Sequence, residues 1–183
     1  MYKHFTIPNF LSEEECNSIL SKCKEELTLK IARIKNQEVV LNKRKSSVAF
    51  ISDLGFLNKK LQNTLTYHIK VKGFAVSGLQ DFQFTEYTIG EHYDWHRDSS
   101  VDNPVFSNRF YSTVIQLSDE YTEGELQLNI DDKEITLDRG LGTLYMFPSY
   151  TLHRVKPITS GVRYSLVNWI KLVENKNEKK SLL

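Results

Sequence analysis

From Phe82 onward the chain breaks into short runs of apolar, β-branched and aromatic residues divided by turn residues, and this pattern narrows the folds open to it. The runs near 82–89, 91–98, 110–118, 125–130, 133–138, 142–147, 153–158 and 162–173 read as strands. Asp131-Asp132 fits the tight turn of a hairpin. Eight short strands at this spacing predict a two-sheet jelly roll, or double-stranded β-helix, and so a mainly β fold.

The N-terminal third is expected to support that core with helices. Ser12-Glu13-Glu14-Glu15 is a capping-box start, with Ser12 as N-cap and Glu15 at the third helical position. A helix to about Leu27 follows, its apolar stripe formed by Cys16, Ile19, Leu20, Cys23 and Leu27. Leu54 to Ile69 reads as a second helix through Leu57, Leu61, Leu65 and His68. With 183 residues the chain can bury a sizeable core. The expected organisation is one domain over 1–173, with helical support at 12–70, the jelly roll at 80–173 and a disordered charged tail at 174–183.

One octapeptide carries most of the chemistry: Glu91-His92-Tyr93-Asp94-Trp95-His96-Arg97-Asp98. On a strand, residues two apart share a face, so His96 and Asp98 can converge on one metal. His153 and Arg163 follow downstream. Two histidines and a carboxylate bind Fe(II) on three sites and leave three open. A bidentate 2-oxo acid fills two of those and dioxygen the third, while Arg163 offers a permanently charged fork for a distal carboxylate. The set points to 2-oxoglutarate-dependent oxygenase chemistry. Spacing does not choose the pair, because His92-x-Asp94 repeats it and, by simple alternation, shares its face. Within 162–173, Arg163, Ser165, Val167 and Trp169 fall on one face, as a pocket wall would need. The opposite face, with Val162, Tyr164, Leu166 and Ile170, is only approximately in register.

The stretch Tyr87 to Asp98 resembles the Tyr-x-x-Gly-x-x-Tyr-x-x-His-x-Asp signature of the prolyl 4-hydroxylase-like 2-oxoglutarate/Fe(II) oxygenases. The likeness spans roughly 80–173. It continues through Glu123-Gly124-Glu125-Leu126, similar to the family's Gly-Gly-x-Leu turn with Glu123 at the first glycine, and ends on His153, Arg163 and Trp169. It selects His96, Asp98 and His153 as metal ligands and leaves His92 a bystander. It also implies Fe(II), 2-oxoglutarate and dioxygen, with ascorbate as accessory reductant, and a jelly-roll fold. Tyr87, Arg163 and Ser165 would hold the 2-oxoglutarate carboxylate, with Gln116 a weaker candidate. Tyr93, Arg109 and Trp169 would line the substrate side. The substrate implied is a peptidyl proline in an extended groove. Collagen-type members carry lysine in place of Arg163, so this chain looks more like the oxygen-sensing and microbial branches. Peptidyl lysine or a small metabolite is the alternative substrate, and a cupin-like metal-binding jelly roll is the non-enzymatic reading. Arg163 argues against the last, since a binding-only domain needs no carboxylate clamp there.

A net charge of +1 with mixed signs argues against nucleic-acid and membrane partners. The chain has no apolar run of about 20 residues and no signal-peptide core, so a cytoplasmic location is expected. Cys16 and Cys23, about 10 Å apart by helical rise, cannot bridge each other; they read as small buried residues on one helical face. Residues 28–46 hold six basic residues (Lys30, Arg33, Lys35, Lys43, Arg44 and Lys45) against Glu38. Most such runs are solvated; the functional reading is a basic flap, with short strands around Leu29 and Ile31 and around Val39 and Leu41. Oligomeric state is not legible in the sequence.

Overall fold

Ser12 forms the cap its sequence dictates: its hydroxyl accepts from the Glu15 N–H at 3.1 Å, and the Glu15 carboxylate accepts from the Ser12 N–H at 2.9 Å. The structure is a computed structural model that describes residues 4–33, 40–69, 74–99 and 109–174. In chain order its elements are β1 (Phe5–Ile7), α1 (Glu13–Glu26), β2 (Lys30–Ile31), β3 (Arg44–Lys45), β4 (Ser47–Ile51), α2 (Phe56–His68), β5 (Phe74–Leu79), β6 (Phe82–Tyr87), β7 (His92–His96) and β8 (Tyr111–Gln116). Then come β9 (Tyr121–Glu123), β10 (Leu126–Ile130), β11 (Lys133–Thr136), β12 (Leu144–Pro148), β13 (Leu152–Val155), β14 (Ile158–Gly161) and β15 (Arg163–Glu174).

The strands form a jelly roll of two antiparallel sheets. The major sheet runs β1-β12-β8-β15-β6-β4-β2, with β5 pairing the C-terminal half of β15. The minor sheet runs β11-β10-β13-β7-β3, and β9 pairs β14 separately. Two apolar clusters explain the layering. In the first, Cys16 and Ile19 of α1 and Leu57, Leu61 and Leu65 of α2 pack on Phe82, Phe84, Ile115, Leu166 and Ile170, so the helices cover one face of the major sheet. The second cluster, with Tyr87, Val114, Leu128, Tyr145, Phe147 and Val155, fills the space between the sheets.

The alternation of β15 is regular. Leu166 and Ile170 belong to the helix-covered layer and Val167 packs on the inter-sheet cluster. What blurred the pattern in the sequence is Asn168, a buried residue on the helix side whose amide donates to the Gln80 carbonyl. The hairpin expected at Asp131-Asp132 forms, joining β10 and β11 with Ile130 opposite Lys133. Both aspartates take positive φ (52° and 59°), as the type I′ geometry requires.

Other expectations are corrected. Residues 153–158 are not one strand: β13 ends at Val155 and β14 starts at Ile158, on either side of Pro157, which has no N–H to donate. The strand expected around Val39 and Leu41 is not seen at Leu41, which lies in a turn; β3 begins at Arg44 instead. Arg44 is buried, against the solvated reading of its basic run. Lys35, Glu38 and Val39 of that run, the loop 100–108 and the tail beyond Glu174 lie outside the described residues. Cys16 and Cys23 are free and buried, and burial pushes both thiols up to about 11. Among the described residues no helix is long and apolar enough to cross a membrane.

Leu61 is fully buried between α2 and the major sheet. Leu61→Ala should cost about 2–5 kcal/mol, read as a lower urea midpoint with an unchanged slope.

Candidate metal centre

A one-residue irregularity in β7 decides which histidine enters the site. His96 lies opposite His153 on β13, but Val155, two residues on, lies opposite Tyr93, three residues back. The extra residue is a β-bulge, and beyond a bulge the facing of every side chain reverses. Tyr93 and His96 therefore share a face, their rings stacked at 3.4 Å and 12°. His92 and Asp94 turn the other way. Asp94 pairs with Lys43 at 3.0 Å, and His92 Nδ1 lies 3.4 Å from the Gly90 carbonyl. Simple alternation put both His-x-Asp pairs on one face; the bulge separates them.

His96, Asp98 and His153 come together at the head of this face, each offering a ligand atom within 4.8 Å of the others. His96 Nε2 is 3.6 Å from Asp98 Oδ1, and His153 Nε2 is 3.5 Å from Asp98 Oδ2. The other ring nitrogens are engaged: Nδ1 of His96 lies 2.8 Å from the Asp94 carbonyl and Nδ1 of His153 lies 2.8 Å from the Thr151 carbonyl. A carbonyl only accepts, so each Nδ1 donates to it, which leaves Nε2, the nitrogen facing Asp98, as the ring atom available to a metal. That is the tautomer a metal ligand needs. Burial, helped by the nearby His153, pushes the His96 imidazole down to about 3. Burial alone would raise the Asp98 carboxyl, but His153 and His96, followed by the Trp169 indole and the Ser112 hydroxyl, hold it at about 2. A neutral imidazole and an ionised carboxylate are the protonation states that bind a cation. The residues fit Fe(II).

The second feature is Arg163, at the start of β15 and only 1% exposed. Its Nη1 donates to Ser165 Oγ at 3.3 Å and its Nη2 to Gln116 Oε1 at 2.6 Å, while Nε is buried without a hydrogen-bond partner. Gln116 is in turn held by its amide, which donates to the Tyr121 hydroxyl. Tyr87 lies opposite Arg163 on β6, with the guanidinium 5.5 Å from its ring centre. Among the described residues no carboxylate pairs with Arg163. A buried charge without a counter-ion is costly, and a bound carboxylate would supply one.

Arg109 and Trp169 stack on each other, the guanidinium 3.6 Å from the ring centre. Both line an open cavity of about 510 Å³ that also includes Phe50, Leu79, Asp81 and Lys171. Tyr93 lies against a metal-site histidine rather than in that cavity. Sequence reasoning missed Arg44, whose guanidinium caps the Tyr93 ring at 4.5 Å and whose Nε donates to Ser46 Oγ at 3.0 Å. No local signal separates Arg44 from its neighbours; pairing of β3 with β7 brings it in. Ser112 and Ser149, behind Asp98, were missed for the same reason.

Residues 82–171 match the model of the 2OG-Fe(II) oxygenase superfamily. The core of this chain belongs to that superfamily. Membership implies Fe(II), 2-oxoglutarate and dioxygen. Among similar proteins are a PKHD-type hydroxylase of Colwellia psychrerythraea, 32% identical over 114 residues, covering 60% of this chain and 51% of the relative, and one of Synechococcus sp. strain CC9902, 38% identical over 120 residues, covering 62% and 51%. The chain spans about half the length of these curated relatives. Two solved structures share the fold. A Pseudomonas putida prolyl-4-hydroxylase superposes with TM-score 0.76 at 20% identity, over 93% of this chain and 94% of that one. A Trichoplax adhaerens prolyl hydroxylase, in complex with a hypoxia inducible factor oxygen degradation domain peptide fragment, gives 0.77 at 19%, over 97% and 86%.

The bulge makes a sharp prediction for this 2OG-Fe(II) oxygenase core. In anaerobic equilibrium dialysis His96→Ala should lose bound Fe(II), while His92→Ala should retain it. Equal loss in the two variants would overturn the assignment.

Proposed function

We propose that this protein is a 2-oxoglutarate- and Fe(II)-dependent dioxygenase that hydroxylates a peptidyl proline. The observation that carries the reading is the pairing of the His96–Asp98–His153 cluster with a buried arginine that lacks a carboxylate partner among the described residues. His96, Asp98 and His153 would hold the iron, which supplies the oxidising chemistry that turns 2-oxoglutarate into succinate and carbon dioxide and places one oxygen on the substrate. Arg163 receives the distal carboxylate of 2-oxoglutarate in a charge-assisted pair. Ser165 and Gln116 keep its fork from rotating, Tyr121 holds Gln116, and Tyr87 closes the same wall. The dry surroundings of Arg163 strengthen that pair relative to one in water.

Arg109 and Trp169 form the substrate side, next to the 510 Å³ cavity. An extended proline-containing peptide loses little conformational entropy on docking, and an aromatic-lined groove suits it. The peptide complex of the Trichoplax protein supports a peptide substrate here. The parts of the expected groove at 34–39 and 100–108 lie outside the described residues.

Two measurements test the reading. Arg163→Ala should keep Fe(II) but raise the 2-oxoglutarate requirement by on the order of 2–5 kcal/mol, the usual cost of truncating a buried charge pair; Arg163→Lys should be milder. An unchanged 2-oxoglutarate dependence would reject the clamp. Mass spectrometry of proline peptides after incubation with Fe(II), 2-oxoglutarate and ascorbate should show a gain of one oxygen on proline, lost in Arg109→Ala. Oxygen appearing on lysine or a free amino acid instead would keep the oxygenase and discard the proline.

A further inference from the structure

Behind Asp98 a hydroxyl pair crosses the gap between the two sheets. Ser112 lies on β8 of the major sheet, opposite Phe147 of β12 and Trp169 of β15. It is fully buried, as is Ser149 in the turn between β12 and β13. Ser112 Oγ stands 2.7 Å from Asp98 Oδ2 and 2.9 Å from Ser149 Oγ. Chemistry sets the direction of both bonds. A carboxylate only accepts, so the Ser112 hydroxyl donates to Asp98. With its proton committed, Ser112 must accept from Ser149. The relay runs Ser149 to Ser112 to Asp98.

Ser149 holds the same ligand a second time. Its carbonyl accepts from the Asp98 N–H at 2.9 Å and the Ser99 N–H at 3.1 Å, and its own N–H donates to the Phe110 carbonyl at 3.0 Å. One turn, four residues before His153, thus fixes the backbone of Asp98 and, through Ser112, its side chain.

We propose that the Ser149–Ser112 pair is a positioning relay that holds Oδ2 of Asp98, the oxygen 3.5 Å from His153 Nε2, and so fixes the rotation of the carboxylate whose Oδ1 stands 3.6 Å from His96 Nε2. A carboxylate free to turn about Cβ–Cγ can offer both oxygens and fill a position that the cosubstrates need. Engaging one oxygen from the far sheet removes that freedom. This inference rests on the triad being a metal centre, and its test separates the two.

Co(II) alone, titrated anaerobically into the full chain and followed by visible absorption, reports affinity and coordination without turnover. Absence of binding by the unaltered protein would remove the metal reading and the relay with it. Given binding, Ser112→Ala should weaken Co(II) about tenfold, as loss of an outer-sphere partner does, and alter the intensity of the absorption band. Ser149→Ala should weaken it less. The double variant should bind no worse than Ser112→Ala, because Ser149 acts through Ser112. Ser149→Ala alone carries the test if Ser112→Ala does not fold. Unchanged Co(II) affinity and spectrum, or losses that add in the double variant, would overturn the relay. So would a lower melting temperature of the metal-free variants with Co(II) binding intact, which would mark a packing role.

Discussion

The candidate site depends on how β7 pairs with β13. That pairing sets His96 beside His153, and its bulge turns Tyr93 onto the His96 ring while sending Asp94 out to Lys43. Slide the register by one residue and His92, Asp94 and Trp95 would change places with the groups that now face inward. The rest of the centre follows from this register: the Nδ1 bonds to carbonyls two residues back in the chain, the Nε2 atoms that face Asp98, and Arg44 closing the stack from β3.

The two sheets contribute unlike chemistry. The minor sheet carries the imidazoles, with Asp98 just beyond β7. The major sheet carries the cation, with Arg163, Ser165 and Gln116 on neighbouring strands β15 and β8. Between them lies an apolar layer in which Phe147 packs on the His153 ring at 4.8 Å and Tyr87 flanks Arg163. This layer shields Arg163 and His153, which are buried, more fully than His96 and Asp98, which are partly exposed. It therefore lets a small number of polar atoms dominate the electrostatics of the site.

Much of this was legible because it rests on local rules. The capping box at Ser12, the helical stripe through Leu57, Leu61 and Leu65, and the turn at Asp131-Asp132 each express a preference confined to a few residues, and each forms. His96, Asp98, His153 and Arg163 were legible because their chemistry is rare in combination. What escaped was set by long-range pairing. The β7 bulge depends on β13, some sixty residues away in sequence, and no local pattern announces it. Arg44 looked like one more solvated base until β3 joined the minor sheet. Asn168 read as a break in the alternation of β15, whereas a backbone carbonyl at Gln80 satisfies it within the helix-covered layer.

Strand β15 belongs to two structures at once. Its even positions, Leu166 and Ile170, lie in the layer under the helices; its odd positions, Arg163, Ser165 and Trp169, face the chemistry. The polypeptide thus separates stability from recognition by nothing more than the two-residue period of a strand. Change can accumulate on one side without disturbing the other. Such a strand lets the cavity-lining position, Trp169, vary while the even positions go on specifying the same fold.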